Sequence, residues 1–299
     1  KAATGGLRVA RGIMAADAHL KRLNPAVVAG FGGYPSVPAL WTAKAQKRPI
    51  LIFQSDAVLG RVNRYFAPSA TAVACGFDRL DKLPPECADR KFVTGNPIRP
   101  NILAVRDRPY PDAPAGARLN ILVTGGSQGA RIFGEVVPVA FSQLPAELRE
   151  RVHIVQQVRE EQLNEVRSVY DHAAISFELA PFFPNMAERL AAAHLFIGRA
   201  GASSVTEVQA VGRPAILVPL AIAADDHQTA NAEGLAQVGA ADVIAEVNFT
   251  ADALAKLLYE RLSDPHQLAV RGAAARAAGR ADAAEQLADL AIQIATPQS

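Results

Sequence analysis

The chain has 299 residues, half of them hydrophobic, and a net charge of only +2. That supports a sizeable core in two domains rather than one, and excludes a disordered or strongly charged tail protein. No apolar run reaches membrane-spanning length, and the two cysteines, Cys75 and Cys87, have neither metal spacing nor a signal peptide with them, which argues for a reducing cytoplasm.

The chain starts at Lys1, so native sequence is expected before it. Residues 9–23 read as an amphipathic helix with Arg11, Lys21 and Arg22 near its polar side and Arg8 just before it. A strand at 26–31 ends in Gly32-Gly33-Tyr34-Pro35-Ser36, a strand-to-helix turn able to take a phosphate, and 37–45 resumes as helix. Residues 49–53 form a buried strand ending at Gln54-Ser55-Asp56, followed by helix at 59–65 and short strands at 70–75 and 91–94. Gly95-Asn96-Pro97-Ile98-Arg99 breaks the pattern, with Arg99 either reaching a phosphate or resting on the surface. The proline-rich stretch 106–116 reads as the linker, which divides the chain into domains 1–115 and 116–299.

The second part opens with a strand at 119–124 and the turn Gly125-Gly126-Ser127-Gln128-Gly129-Ala130-Arg131, whose spacing is neither the dinucleotide fingerprint nor a P-loop. Strands at 152–158, 175–180, 195–198, 215–220 and 242–247 alternate with helices, and 251–262, 267–278 and 283–294 are closing helices. That alternation indicates parallel sheets with ligands at the carboxyl ends of the strands.

The central stretch is Arg199-Ala200-Gly201-Ala202-Ser203-Ser204-Val205-Thr206-Glu207, between the strand at 195–198 and a helix closed by Gly212. Small residues there let a ligand approach the backbone, and the first helical N–H groups favour an anion. Glu207, one turn in, is placed to hold hydroxyls attached to that anion; the alternative is an ordinary turn with a solvated glutamate. Asp226-His227-Gln228-Thr229-Ala230-Asn231 starts another helix: its acids read as capping, and Gln228 and Asn231 as candidates for sugar hydroxyls.

Charge is uneven. Residues 1–64 carry ten Lys/Arg against two acids, and the remainder is net acidic. A basic first part suits a membrane surface or a diphosphate, or is simply a solvated face. With no basic-aromatic module or recognition motif, nucleic acid is not expected as a partner.

Five motifs in order (32–36, 95–99, 125–131, 199–207 and 226–232) together resemble the MurG family of peptidoglycan N-acetylglucosaminyltransferases across nearly the whole chain. The resemblance implies an α/β GT-B fold of two Rossmann-like parallel-sheet domains facing across a cleft, the first incomplete. It also implies an inverting, metal-independent transfer without a cofactor. The donor would be UDP-N-acetylglucosamine and the acceptor undecaprenyl-diphospho-N-acetylmuramoyl-pentapeptide. The enzyme would be peripheral, on the cytoplasmic face of the bacterial plasma membrane, with the basic first part toward an anionic lipid surface.

By position, Phe183 would flank the uracil through its backbone, and Ala202, Ser203 and Ser204 would present N–H groups to the diphosphate. Glu207 would hold the ribose hydroxyls, Ser127 and Arg99 would sit near the phosphates, and Gln228 would bond the sugar. Val205 and Thr206 would complete this set. Asp56 stands where the family has a sugar-contacting asparagine, Phe53-Gln54 replaces His-Glu, and Ala200 stands where serine is common. The family's opening loop, Gly-Gly-Thr-Gly-Gly-His, would lie before Lys1, and its histidine is a candidate base; no catalytic residue is assigned within the chain. Two other readings stay open: a non-catalytic UDP-sugar-binding relative, and another sugar-nucleotide enzyme such as a 2-epimerase.

Overall fold

The computed structural model describes residues 2–114, 116–126, 129–220 and 226–296, with side chains from residue 9 onward. It divides into two compact units, 1–97 with 282–299, and 98–281. Ser127 lies outside the described residues.

Unit one runs α1 (Ala2–Leu23), β1 (Val28–Gly30), α2 (Val37–Ala45), β2 (Ile50–Gln54), α3 (Arg61–Phe66), β3 (Ala72–Cys75) and β4 (Lys91–Val93). Its sheet is parallel in the order β1-β2-β3-β4. β2 is apolar on both faces because both faces are covered. Ile50 and Ile52 pack with Leu40, Phe66 and Val73. Leu51 and Phe53 pack with Ala72, Ala74 and Leu290.

Unit two begins with α4 (Pro100–Leu103), β5 (Leu119–Thr124), α5 (Arg131–Ser142), α6 (Ala146–Arg149), β6 (Val152–Gln157) and α7 (Leu163–His172). It continues through β7 (Ser176–Ala180), α8 (Met186–Ala192), β8 (Leu195–Gly198), α9 (Ala202–Val211) and β9 (Ala215–Leu217). It closes with α10 (His227–Gln237), β10 (Ala241–Val243), α11 (Ala251–Leu262) and α12 (Pro265–Ala277). Its sheet is parallel in the order β10-β9-β8-β5-β6-β7. The chain starts in the middle at β5, winds outward through β6 and β7, and returns to β8 beside β5, where Thr124 pairs with Gly198. That reversal is a topological switch point, where a crevice opens at the carboxyl ends of the strands.

Two features differ from the sequence reading. The last helix, α13 (Ala283–Ala295), belongs to unit one, where Leu287, Leu290, Ala291 and Ile294 cover the second face of the sheet. An amphipathic helix carries no sign of which sheet it will cover. The expected linker at 106–116 falls inside unit two, whose boundary is at Pro97 and Ile98. The fully buried Arg213 fastens it: its guanidinium donates to Pro109 O (3.5 Å), Leu190 O (3.0 Å), Ala191 O (2.6 Å), Val211 O and Gly212 O (both 3.0 Å). Tyr110 lies against that guanidinium, 5.2 Å from its ring centre, and donates to His194 O at 2.6 Å. Burial pushes the Tyr110 hydroxyl pKa up and brings Arg213 down to about 10, so Arg213 stays charged at neutral pH. Prolines mark a docked strap and a free linker alike.

Candidate functional site

α9 begins at the switch point. Gly201 is its N-cap, in extended conformation, with no side-chain cap. Val205 N–H already donates to Gly201 O at 3.0 Å. The N–H groups of Ala202, Ser203 and Ser204 precede the first intrahelical bonds and have no acceptor within the helix. Ser203 is exposed and its two neighbours are half-buried, so this end meets solvent. Val205 and Thr206 instead bury their side chains in the core. Of the expected substrate-binding set, these two therefore have only their backbone to offer a ligand. Gly212, left-handed at φ 70°, ends α9.

Side chains brace the turn before α9 and the end of the neighbouring strand β9. Asn231, buried on α10, donates to Ala200 O at 3.1 Å. Gln228 Oε1 accepts from Leu220 N–H at 3.0 Å. Arg199 is nearly buried, pairs with Glu246 at 2.5 Å and donates to Val218 O at 3.2 Å. Asn231, read as a sugar contact, is thus committed to the backbone. Asp226 is the N-cap of α10 and accepts from the Thr229 hydroxyl at 2.7 Å, without a side-chain cap to the backbone.

The glycine turn after β5 is on the neighbouring strand end. Gly126 (φ 84°) and Gly129 (φ 65°) occupy the left-handed region, and Gly129 N–H closes on Gly126 O at 3.0 Å. A Cβ on Gly125 would lie 2.1 Å from Ala130 N, so no side chain fits there. Thr124 Oγ1 accepts from Gly126 N–H at 3.2 Å and donates to Gln157 Oε1 at 2.7 Å. Gln157 Nε2 in turn donates to Pro181 O at 3.1 Å. This chain ties the ends of β5, β6 and β7 together. Sequence reasoning missed Thr124 and Gln157, which are 33 residues apart with no motif between them. Beside the turn is a cavity of about 410 Å³ lined by Gly129, Gln157, Arg159 and Pro181 among others.

Glu207 does not stand alone. Arg99 Nε donates to Glu207 Oε1 at 2.7 Å and Arg99 Nη2 to Oε2 at 2.9 Å. The carboxylate raises the arginine's already high pKa. The Phe183 ring is buried under Arg189, whose guanidinium is 4.2 Å from the ring centre and pairs with Glu178 at 2.6 Å. The exposed ring is Phe182. Asp56 is half-buried in unit one, just after β2.

Comparison with known proteins fits this geometry. The glycosyltransferase family 28 C-terminal domain profile matches residues 120–287 and the family 28 N-terminal domain profile matches residues 1–75. The chain's relatives include two curated proteins named UDP-N-acetylglucosamine--N-acetylmuramyl-(pentapeptide) pyrophosphoryl-undecaprenol N-acetylglucosamine transferase. The one from Maricaulis maris is 52% identical over 96% of this chain and 78% of its own length. The one from Caulobacter vibrioides is 50% identical over 95% of this chain and 78% of its own. The crystal structure of Acinetobacter baumannii MurG superposes with a TM-score of 0.82 at 32% identity, covering 96% of this chain and 80% of that one. The chain therefore belongs to glycosyltransferase family 28, in its MurG branch, with the α/β fold of two parallel sheets that defines GT-B.

Proposed function

We propose that this chain transfers N-acetylglucosamine from UDP-N-acetylglucosamine to the C4 hydroxyl of undecaprenyl-diphospho-N-acetylmuramoyl-pentapeptide, a step in peptidoglycan synthesis. The observation that carries this reading is the start of α9 at the switch point, with unbonded amides at Ala202, Ser203 and Ser204 and Glu207 one turn further in. Three N–H groups at a helix N-terminus hold the donor diphosphate and stabilise the charge on departing UDP. Glu207 accepts from the ribose hydroxyls, and the backbone at Phe183 flanks the base. Gln228 contacts the sugar through its amide nitrogen while its oxygen accepts from Leu220 N–H. Arg99 and the glycine turn after β5 border the phosphates. Asp56 accepts hydrogen bonds from sugar hydroxyls. The attacking C4 hydroxyl must lose a proton to a general base.

The test is transfer of labelled N-acetylglucosamine from UDP-N-acetylglucosamine to the lipid-linked acceptor. Label in the lipid fraction is the expected result. Epimerised sugar, or donor left intact in the presence of acceptor, would contradict it.

The acceptor's lipid suggests a peripheral contact with an anionic membrane through unit one. Among the described residues no helix is long and apolar enough to cross a membrane. α1 exposes Val9, Met14 and Leu23 beside Arg11 and Arg22. Lys21 contributes less, since it pairs with Asp17 at 2.7 Å. Arg8 and Leu7 lie where only the backbone is described. Sedimentation with anionic vesicles at low salt, lost at high salt or with neutral vesicles, is the expected behaviour. Equal pelleting with both vesicle types would contradict it.

A further inference from the structure

We propose that Arg99 and Glu207 form a latch that restricts the ribose site to nucleotides carrying a phosphate. This rests on the donor-site reading above and adds a coupling between its two halves. Both oxygens of Glu207 accept from one guanidinium, at 2.7 and 2.9 Å. A ribose diol reaching that carboxylate must displace at least one charged donor and replace it with a neutral hydroxyl, which bonds more weakly.

The two partners differ in freedom. The Glu207 side chain, 13% exposed, is held on α9, whereas Arg99, 57% exposed, precedes the short helix α4. Arg99 is therefore the member that moves. Ser204 is three residues before Glu207, so the anion site at the start of α9 begins about 4.5 Å away along the helix axis. An arginine side chain spans that distance, and a phosphate offers its planar fork the same two-oxygen geometry as a carboxylate. When a nucleoside diphosphate arrives, the guanidinium exchanges carboxylate for phosphate and remains paired, and Glu207 is released to the ribose. When a nucleoside arrives, the pair breaks and nothing replaces it. Ribose and phosphate recognition are thereby linked, so neither uridine nor inorganic phosphate alone satisfies both residues.

The test is ligand-observed NMR titration of the full chain with uridine and with UDP. It compares the wild-type protein with Arg99→Ala, Arg99→Lys and Glu207→Gln. Arg99→Ala should bind uridine about fivefold more tightly, the equivalent of losing an exposed ion pair, while binding UDP more weakly. Arg99→Lys keeps the charge without the fork and should fall between, and it carries the test if the alanine variant does not fold. Uridine affinity unchanged or reduced in both variants, with UDP still bound by the wild type and weakened by Glu207→Gln, would overturn the latch and leave the donor site standing. UDP failing to bind the wild type, or binding it and Glu207→Gln equally, would overturn the donor-site reading and the latch with it.

Discussion

Glu207 and Arg213 are both partly or fully buried, and they carry opposite expectations. Glu207 belongs to the proposed donor site, so Glu207→Ala should weaken UDP binding by about 2 kcal/mol, the size of hydrogen bonds to a charged group, while the fold persists. Equal UDP affinity in calorimetry would assign Glu207 to holding Arg99 and nothing more. Arg213 is remote from α9's first turn and donates to five carbonyls. Arg213→Met fills similar volume but removes the guanidinium from all five carbonyls, of which Leu190 O keeps a second donor in Ala193 N–H. It should destabilise unit two by about 3 kcal/mol in denaturant unfolding, judged by the cost of breaking buried polar pairs. Unchanged stability would mean that the strap at Pro109 and Tyr110 is held by packing alone.

At the scale of elements, two glycines in look-alike turns separate fold from site. A Cβ on Gly125 meets backbone at 2.1 Å, whereas one on Gly201 meets nothing within 4 Å. Gly125→Ala should therefore lower the melting temperature and disrupt the turn, while Gly201→Ala keeps the fold and weakens UDP only by crowding its approach. Loss of stability in both would mean the second turn is also held by close packing. Most strands and helices were legible in the sequence, because buried parallel strands such as 119–124 and 195–198 are mainly apolar and run into glycine. The strand-to-helix turns were legible for the same reason. The partners of the site residues were not. Asn231 on Ala200, Gln157 on Thr124 and Arg99 on Glu207 join segments 31, 33 and 108 residues apart. Local pattern does not encode such pairs; only the winding of the sheet brings them together.

For the whole molecule, the division at Pro97/Ile98 and Ala281/Asp282 has a direct consequence. A fragment of residues 98–281 should fold and bind UDP. A fragment of residues 116–299 should fare worse, since it lacks Arg99 and Tyr110 and exposes the apolar face of α13. Similar solubility and UDP affinity for the two would contradict this division. Stability should also fall on acidification. Lys21 holds the Asp17 carboxyl low and Arg189 does the same for Glu178, so both contribute above the ordinary carboxylate range and are lost as pH falls through their lowered values. Burial lowers His194, whose Nδ1 accepts from Asn120 N–H, so below about pH 6.5 the unfolded chain takes up a proton that the fold resists. In denaturant unfolding across that pH range, His194→Asn should flatten part of the slope, and an unchanged slope would place its cause elsewhere. The most direct measurement of the central claim is an experimental structure of the full chain with UDP bound. The expected result is diphosphate oxygens within hydrogen-bond distance of the Ala202, Ser203 and Ser204 amides, and ribose hydroxyls on Glu207. UDP seated elsewhere, with α9's first amides facing only water, would contradict it.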